Sequence, residues 1–155
     1  MKYIWYHEMP IGKIAIAEEN GAISHILFDG DMSLDDYEKK ETKTIQKVVR
    51  QLEAYFAGEL KVFDVPLALN GTPFQKAAWE ALMEIPYGQT CSYKDIAIKI
   101  GNPKAVRAVG MANNKNKIPI IIPCHRVIGT NGKLVGYAGG LEIKQQLLDL
   151  EADNV

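Results

Sequence analysis

Residues 120–127 read Ile-Ile-Ile-Pro-Cys-His-Arg-Val. An apolar β-branched run of this kind has to be buried and favours a strand. It ends at Pro123, and Cys124, His125 and Arg126 follow without a gap. Groups suited to nucleophilic, proton-transfer and anion-binding work therefore stand where a buried strand stops. A free cysteine is most often a buried structural thiol. As a nucleophile it acts as thiolate, which a cation, an adjacent base or a helix N-terminus promotes. His125 and Arg126 offer the first two. Neighbours in an extended segment point to opposite faces, so His125 would reach Cys124 through a turn or a bridging water. On these residues alone both readings stay open.

The other cysteine is Cys91, and two cysteines make neither a disulfide framework nor a metal-ligand spacing. No apolar run nears the roughly 20 residues of a membrane span. The N-terminus lacks a signal peptide's apolar core and cleavage site, so a reduced, cytoplasmic protein is expected. At 155 residues the chain has room for one sizeable core or two small ones. The net charge of −1 hides an uneven distribution. Residues 92–136 hold eight bases and one acid, whereas residues 1–91 carry −5 and residues 137–155 carry −3. A basic block beside the cysteine suggests a polyanionic partner; scattered surface lysines explain it equally well.

The first part alternates like a meander. Strands are expected over 2–8, 13–18 and 22–28, with Asn20-Gly21 as a hairpin turn. His7 and His25 have no ligand-spaced partners and read as ordinary histidines. The acidic stretch 29–41 reads as a solvated loop. Residues 42–57 carry a helical repeat stopped by Gly58, and 60–67 a short extended segment. Asn70-Gly71 marks a boundary.

Beyond it, Thr72-Pro73-Phe74-Gln75 has an N-cap, a proline in the first turn and a capping box. Phe74, Ala77, Ala78, Ala81 and Leu82 are the expected buried face. Ser92 to Asp95 is a second capping box, opening a short helix to Ile100. Gly101 suits a left-handed C′ position, and a helix is expected from Pro103 to Ala112. Two short helices across a glycine turn make a helix-turn-helix. The second is thin, with Ala105, Ala108, Gly110 and Ala112, and Arg107 is nearly its only base-reading group. That suits shape-based docking in a minor groove with Arg107 in the base stack; tight internal packing also favours small residues. Residues 113–117 read as a polar loop before the Cys124 strand. Residues 136–140 form a glycine-rich loop, and a closing helix over 141–151 packs through Leu141, Ile143, Leu147, Leu148 and Leu150.

Pro123-Cys124-His125-Arg126-Val127 resembles the signature of the O6-alkylguanine-DNA alkyltransferases. Its context is similar too: Gly71 to Gln75, Pro86-Tyr87-Gly88 with Ser92-Tyr93, Gly101 to Gly110, and Gly136-Tyr137 with Gly139-Gly140-Leu141, in the family's order from about Gly71 to Glu151. The N-terminal part resembles the family only loosely. The resemblance implies irreversible transfer of an alkyl group from O6 of guanine to Cys124. His125 would act as base through a water, Glu151 would orient and polarise His125, and Tyr93 would donate a proton to guanine N3. Arg107 would fill the gap left by the flipped nucleotide, with Ala105, Ala108, Gly110, Ser92 and Arg126 on the DNA side. Asn116 would brace the loop before the cysteine, and Tyr137, Ala138, Gly139 and Val127 would wall the guanine pocket. No metal and no cofactor are implied. The partner would be double-stranded DNA carrying O6-alkylguanine, with O4-alkylthymine a second candidate substrate, bound by a monomer with no membrane association.

The implied fold is α+β. A small N-terminal α/β domain of ribonuclease-H-like type, residues 1–70, precedes a C-terminal helical domain, residues 71–155, with a winged-helix-like helix-turn-helix. One departure is Asn113-Asn114-Lys115-Asn116-Lys117, where the family commonly has a glycine after the first asparagine and a proline after the last. Cys91 matches no catalytic position. A non-catalytic lesion sensor would carry tryptophan in place of Cys124. A transcription factor would carry more base-reading side chains, and a cysteine hydrolase usually draws its dyad from separate segments.

Overall fold

The computed structural model describes residues 1–155 apart from Asp29, Asp31, Thr130, Lys133, Val135 and Ala138. The chain divides into two compact units, Met1–Leu69 and Asn70–Val155.

In the first unit, β1 (Lys2–Met9), β2 (Gly12–Glu19) and β3 (Ala22–Leu27) form an antiparallel meander. Asn20 (φ 52°) and Gly21 (φ 84°) adopt the left-handed conformations that a tight hairpin demands. The stretch expected to be a solvated loop is a covering segment. Its apolar residues Met32, Leu34 and Tyr37 pack on Ile4, Ala15 and Ala17. Within it β4 (Glu38–Lys39) pairs parallel to β1, giving the order β3-β2-β1-β4. Helix α1 (Lys43–Phe56), capped by Thr42, buries Ile45, Val48, Val49 and Leu52. With α1 and the covering segment both packed on the sheet, Ile14 to Ala17 of β2 are buried without alternation. Residues 60–67 stay mostly irregular, tied to β3 by the Ile23 amide on the Pro66 carbonyl and the Ala68 amide on the Ile23 carbonyl, each 2.8 Å.

In the second unit both capping boxes form. Thr72 caps α2 (Pro73–Leu82) and Ser92 caps α3 (Tyr93–Lys99). On α2, Ala78, Ala81 and Leu82 are buried as expected. Ala77 is exposed, and Trp79 takes the core position with its indole N–H on the Ala112 carbonyl at 2.8 Å. Gly101 (φ 80°) turns the chain as expected, but Pro103 does not start the next helix. The Ala105 amide bonds the Asn102 carbonyl in a separate turn, and α4 runs over Val106–Asn114. It takes in Asn113 and Asn114, which were expected in a loop, and Asn113 is buried.

The largest correction lies before Cys124. Residues 120–122 form a turn rather than a strand. Pro119 and Pro123 cannot donate to a ladder, and the Ile122 amide closes back on the Ile118 carbonyl at 3.0 Å. Ile120 sits at φ 74°, a left-handed conformation that costs a β-branched residue about 1 to 3 kcal/mol. Its side chain is buried, and burial holds it there. Cys124–Arg126 then form one 3-10 turn, followed by β6 (Val127–Ile128), parallel to β5 (Cys91–Ser92). Helix α5 (Leu141–Asp153) also turns an unexpected side inward. Leu141 is exposed, and the buried residues are Lys144, Leu147 and Glu151.

Candidate active site

The 3-10 turn solves the problem posed by adjacent reactive residues. It gathers Cys124, His125 and Arg126, all buried, against one face of α5. There Glu151, 1% exposed, takes four donors. His125 Nε2 lies 2.6 Å from Oε2, Arg126 gives Nε to Oε1 at 2.8 Å and Nη2 to Oε2 at 3.0 Å, and the Gly88 amide reaches Oε1 at 3.3 Å. A carboxylate only accepts, so Nε2 of His125 carries the proton and Nδ1 keeps its lone pair. Nδ1 is buried and has no hydrogen-bond partner among the described groups. Burial, with lesser help from Arg126 and Lys144, holds the His125 pKa below its ordinary value against the pull of Glu151. The imidazole is therefore neutral near pH 7, with its basic nitrogen unoccupied.

Cys124 is 3% exposed, and burial pushes its pKa up to about 11, so it rests as a thiol. The thiolate promotion expected from Arg126 is absent, because that guanidinium is neutralised on Glu151 and fixed to the Ile85 carbonyl at 2.7 Å. Two other groups favour the thiolate: a hydrogen bond from the Asn116 side chain and the charge of Lys144. Cys91, half-buried, is likewise pushed up to about 11, by burial first and by the charge of Asp95 second. Neither cysteine ionises readily alone.

Asn116 organises the approach to the cysteine. Its Nδ2 donates to the Ile122 carbonyl at 2.9 Å, and its Oδ1 accepts from the Ile118 amide at 3.0 Å. One side chain thus closes the turn that a strand partner would otherwise have held. Tyr93, at the start of α3, is half-buried. Burial raises its pKa, the charge of an ionised Cys124 raises it further, and a hydrogen bond from Asn113 lowers it. Tyr93 and Cys124 therefore share one site, and the phenol stays protonated.

Lys144 and Asn113 were not anticipated. Lys144 is fully buried with its ammonium on the Val127 carbonyl at 2.7 Å. Its sequence signal was a place three residues before buried Leu147 and seven before Glu151, one helical stripe. Two expected site residues have internal partners. Arg126 is 7% exposed and held by Glu151 and the Ile85 carbonyl. Val127 exposes no surface, and its carbonyl accepts from Lys144. Tyr137 and Gly139 are half-buried, with the Tyr137 carbonyl accepting from the Gly140 amide at 2.9 Å; Ala138 lies outside the described residues.

Arg107 and Ala108 lie on the exposed side of α4, while Ala105, Gly110 and Ser92 are partly buried. Ala105 occupies the N-cap position of α4 without a side-chain bond, and Ser92 is committed to capping α3. A side chain added at Gly110 would meet the Tyr93 ring at 4.0 Å, an ordinary contact. Among the described residues no cluster of His, Cys, Asp or Glu could hold a metal ion, and no helix is long and apolar enough to cross a membrane.

A buried thiol beside a neutral, carboxylate-held histidine, in a unit that also carries a helix-turn-helix, defines a DNA-binding protein that accepts a group on cysteine. The chain belongs to the 6-O-methylguanine DNA methyltransferase family, whose DNA-binding domain matches residues 73–153 and whose ribonuclease-like domain matches residues 1–69. It is 54% identical to the methylated-DNA–protein-cysteine methyltransferase of Methanosarcina acetivorans, over 96% of this chain and 97% of the relative. It is 48% identical to the constitutive enzyme of that name from Bacillus subtilis, over 97% and 96%. The crystal structure of Mycobacterium tuberculosis OGT in complex with DNA superposes with a TM-score of 0.93 at 45% identity, over 98% of this chain and 94% of that one.

Proposed function

We propose that this chain repairs DNA by moving an alkyl group from O6 of guanine to its own Cys124. Sγ attacks the alkyl carbon, the carbon–oxygen bond breaks, and a thioether forms. The thiol proton passes through a water to His125 Nδ1, and the imidazolium is stabilised by Glu151. Negative charge developing on the departing guanine is met by a proton from the Tyr93 hydroxyl at N3. The Tyr93 phenolate regains a proton as the His125 imidazolium gives one up through solvent, so proton and alkyl group have changed places and no co-reactant enters.

The thioether does not hydrolyse, so each chain acts once. Cys124 is 3% exposed, so the alkylated base must leave the stack to reach it, with Arg107 entering the gap. Lesions occur in any sequence, so binding rests on backbone charge and shape rather than on base edges. The observation that carries the reading is the 2.6 Å bond from His125 Nε2 to Glu151, which leaves Nδ1 as the basic nitrogen of the residue that follows Cys124 in sequence. A single-turnover assay with duplex DNA carrying labelled O6-methylguanine tests it. Label on the protein should plateau at one equivalent and vanish in Cys124→Ala. Repeated turnover, or label retained in Cys124→Ala, would refute it.

A further inference from the structure

The exposed residues of α4 are Arg107, Ala108, Met111 and Asn114, with Lys115 just beyond, a single face at three- and four-residue spacing. Most of this face is small or polar. Met111 is the exception, a long apolar side chain left 62% exposed. The helix cannot roll to hide it. Val109, Ala112 and Asn113 are buried on the opposite side, and the Trp79 indole pins the Ala112 carbonyl.

The surroundings of Met111 select its partner. Arg107 stands one turn before it and Lys115 one turn after, and the sequence holds no acid between Asp95 and Glu142. A cationic face with an apolar centre matches a polyanion whose interior is apolar, which describes duplex DNA better than a protein surface. Apolar side chains that enter a minor groove, methionine among them, press between base steps and unstack them. Methionine's unbranched, flexible chain follows an irregular groove floor.

Building on the reading of the chain as a DNA alkyltransferase, we propose that Met111 is a second wedge into the duplex beside Arg107, speeding extrusion of the lesion. Four residues along a helix span about 6 Å, or roughly two base steps. Arg107 fills the gap, and Met111 loosens the stack within two steps of it.

The test compares single-turnover transfer from one O6-methylguanine oligonucleotide as duplex and as single strand, where no paired stack has to open. Met111→Ala should slow the duplex reaction about tenfold, equivalent to about 1.4 kcal/mol, and change the single-strand reaction less than about twofold. Met111→Leu, apolar and of similar bulk, should restore the duplex rate. A 2-aminopurine one or two steps from the lesion should brighten on binding the unaltered protein and less so with Met111→Ala. An unchanged duplex rate, or equal losses on both substrates, would overturn the wedge. Failure of the unaltered protein to transfer from either substrate would instead overturn the alkyltransferase reading, and the wedge with it.

Discussion

Arg126 lies in a basic block of a DNA-binding unit, yet its guanidinium is held inside, with two nitrogens on Glu151 and a third on the Ile85 carbonyl. In Arg126→Met the side-chain volume is nearly kept, but Glu151 is left buried with only His125 and the Gly88 amide as donors. Removing one partner of a buried pair costs about 3 to 5 kcal/mol. Urea denaturation should show that loss, and adding Glu151→Gln should recover part of it, because the stranded charge is removed. The site should change as well. The Arg126 charge now helps to hold the His125 pKa down, so removing it raises that pKa. His125 would then protonate at higher pH, and the acid limb of transfer should move upward.

Salt dependence separates this from a phosphate contact. Each neutralised phosphate contributes about −0.9 to the slope of log K against log salt. For a Cys124→Ser protein binding lesion DNA, Arg126→Met should leave the slope unchanged, whereas Arg107→Ala should alter binding directly. A slope shallower by about one unit, with stability within about 1 kcal/mol of the parent, would refute the internal role.

Removing the base exposes the thiol's own titration. In His125→Ala, stopped-flow transfer should be slow at pH 7 and rise about tenfold per pH unit towards the Cys124 pKa of about 11, whereas the unaltered protein should be nearly flat above neutrality. Lys144→Met removes the charge facing Cys124 and the donor to the Val127 carbonyl, so transfer should fall at least about tenfold while DNA affinity in a Cys124→Ser background stays level. The folded thiol binds its proton more tightly than the unfolded one, so stability present below pH 9 is lost as pH climbs towards about 11. Denaturation across that range should cost the unaltered protein about 2 to 3 kcal/mol more than Cys124→Ala.

What could be read from the sequence was local. Thr72 and Ser92 cap helices through bonds reaching three residues, and Asn20-Gly21 makes its turn with its own backbone. Cys124, His125 and Glu151 were legible through motif order. The turn before Cys124 was not, because an isoleucine run serves a strand and a buried turn equally well. The choice was made by Asn116, folding back onto both ends of that turn. The inward stripe of α5 was hidden for a related reason. Its leucines suggest an apolar face, but Lys144 and Glu151 can be buried because the Val127 carbonyl, His125 and Arg126 wait for them, 17 to 26 residues earlier. Arg126 misled in the same way, since its charge was visible and its partner was not.

The most direct measurement is peptide mapping by tandem mass spectrometry after reaction with a duplex carrying one O6-methylguanine. Both cysteines are raised to about 11, and only Cys124 has His125 beside it, so the account predicts one added CH2 on Cys124, saturating at one per chain, and none on Cys91. Methyl on Cys91, or lesion DNA bound tightly with no methyl transferred, would contradict it.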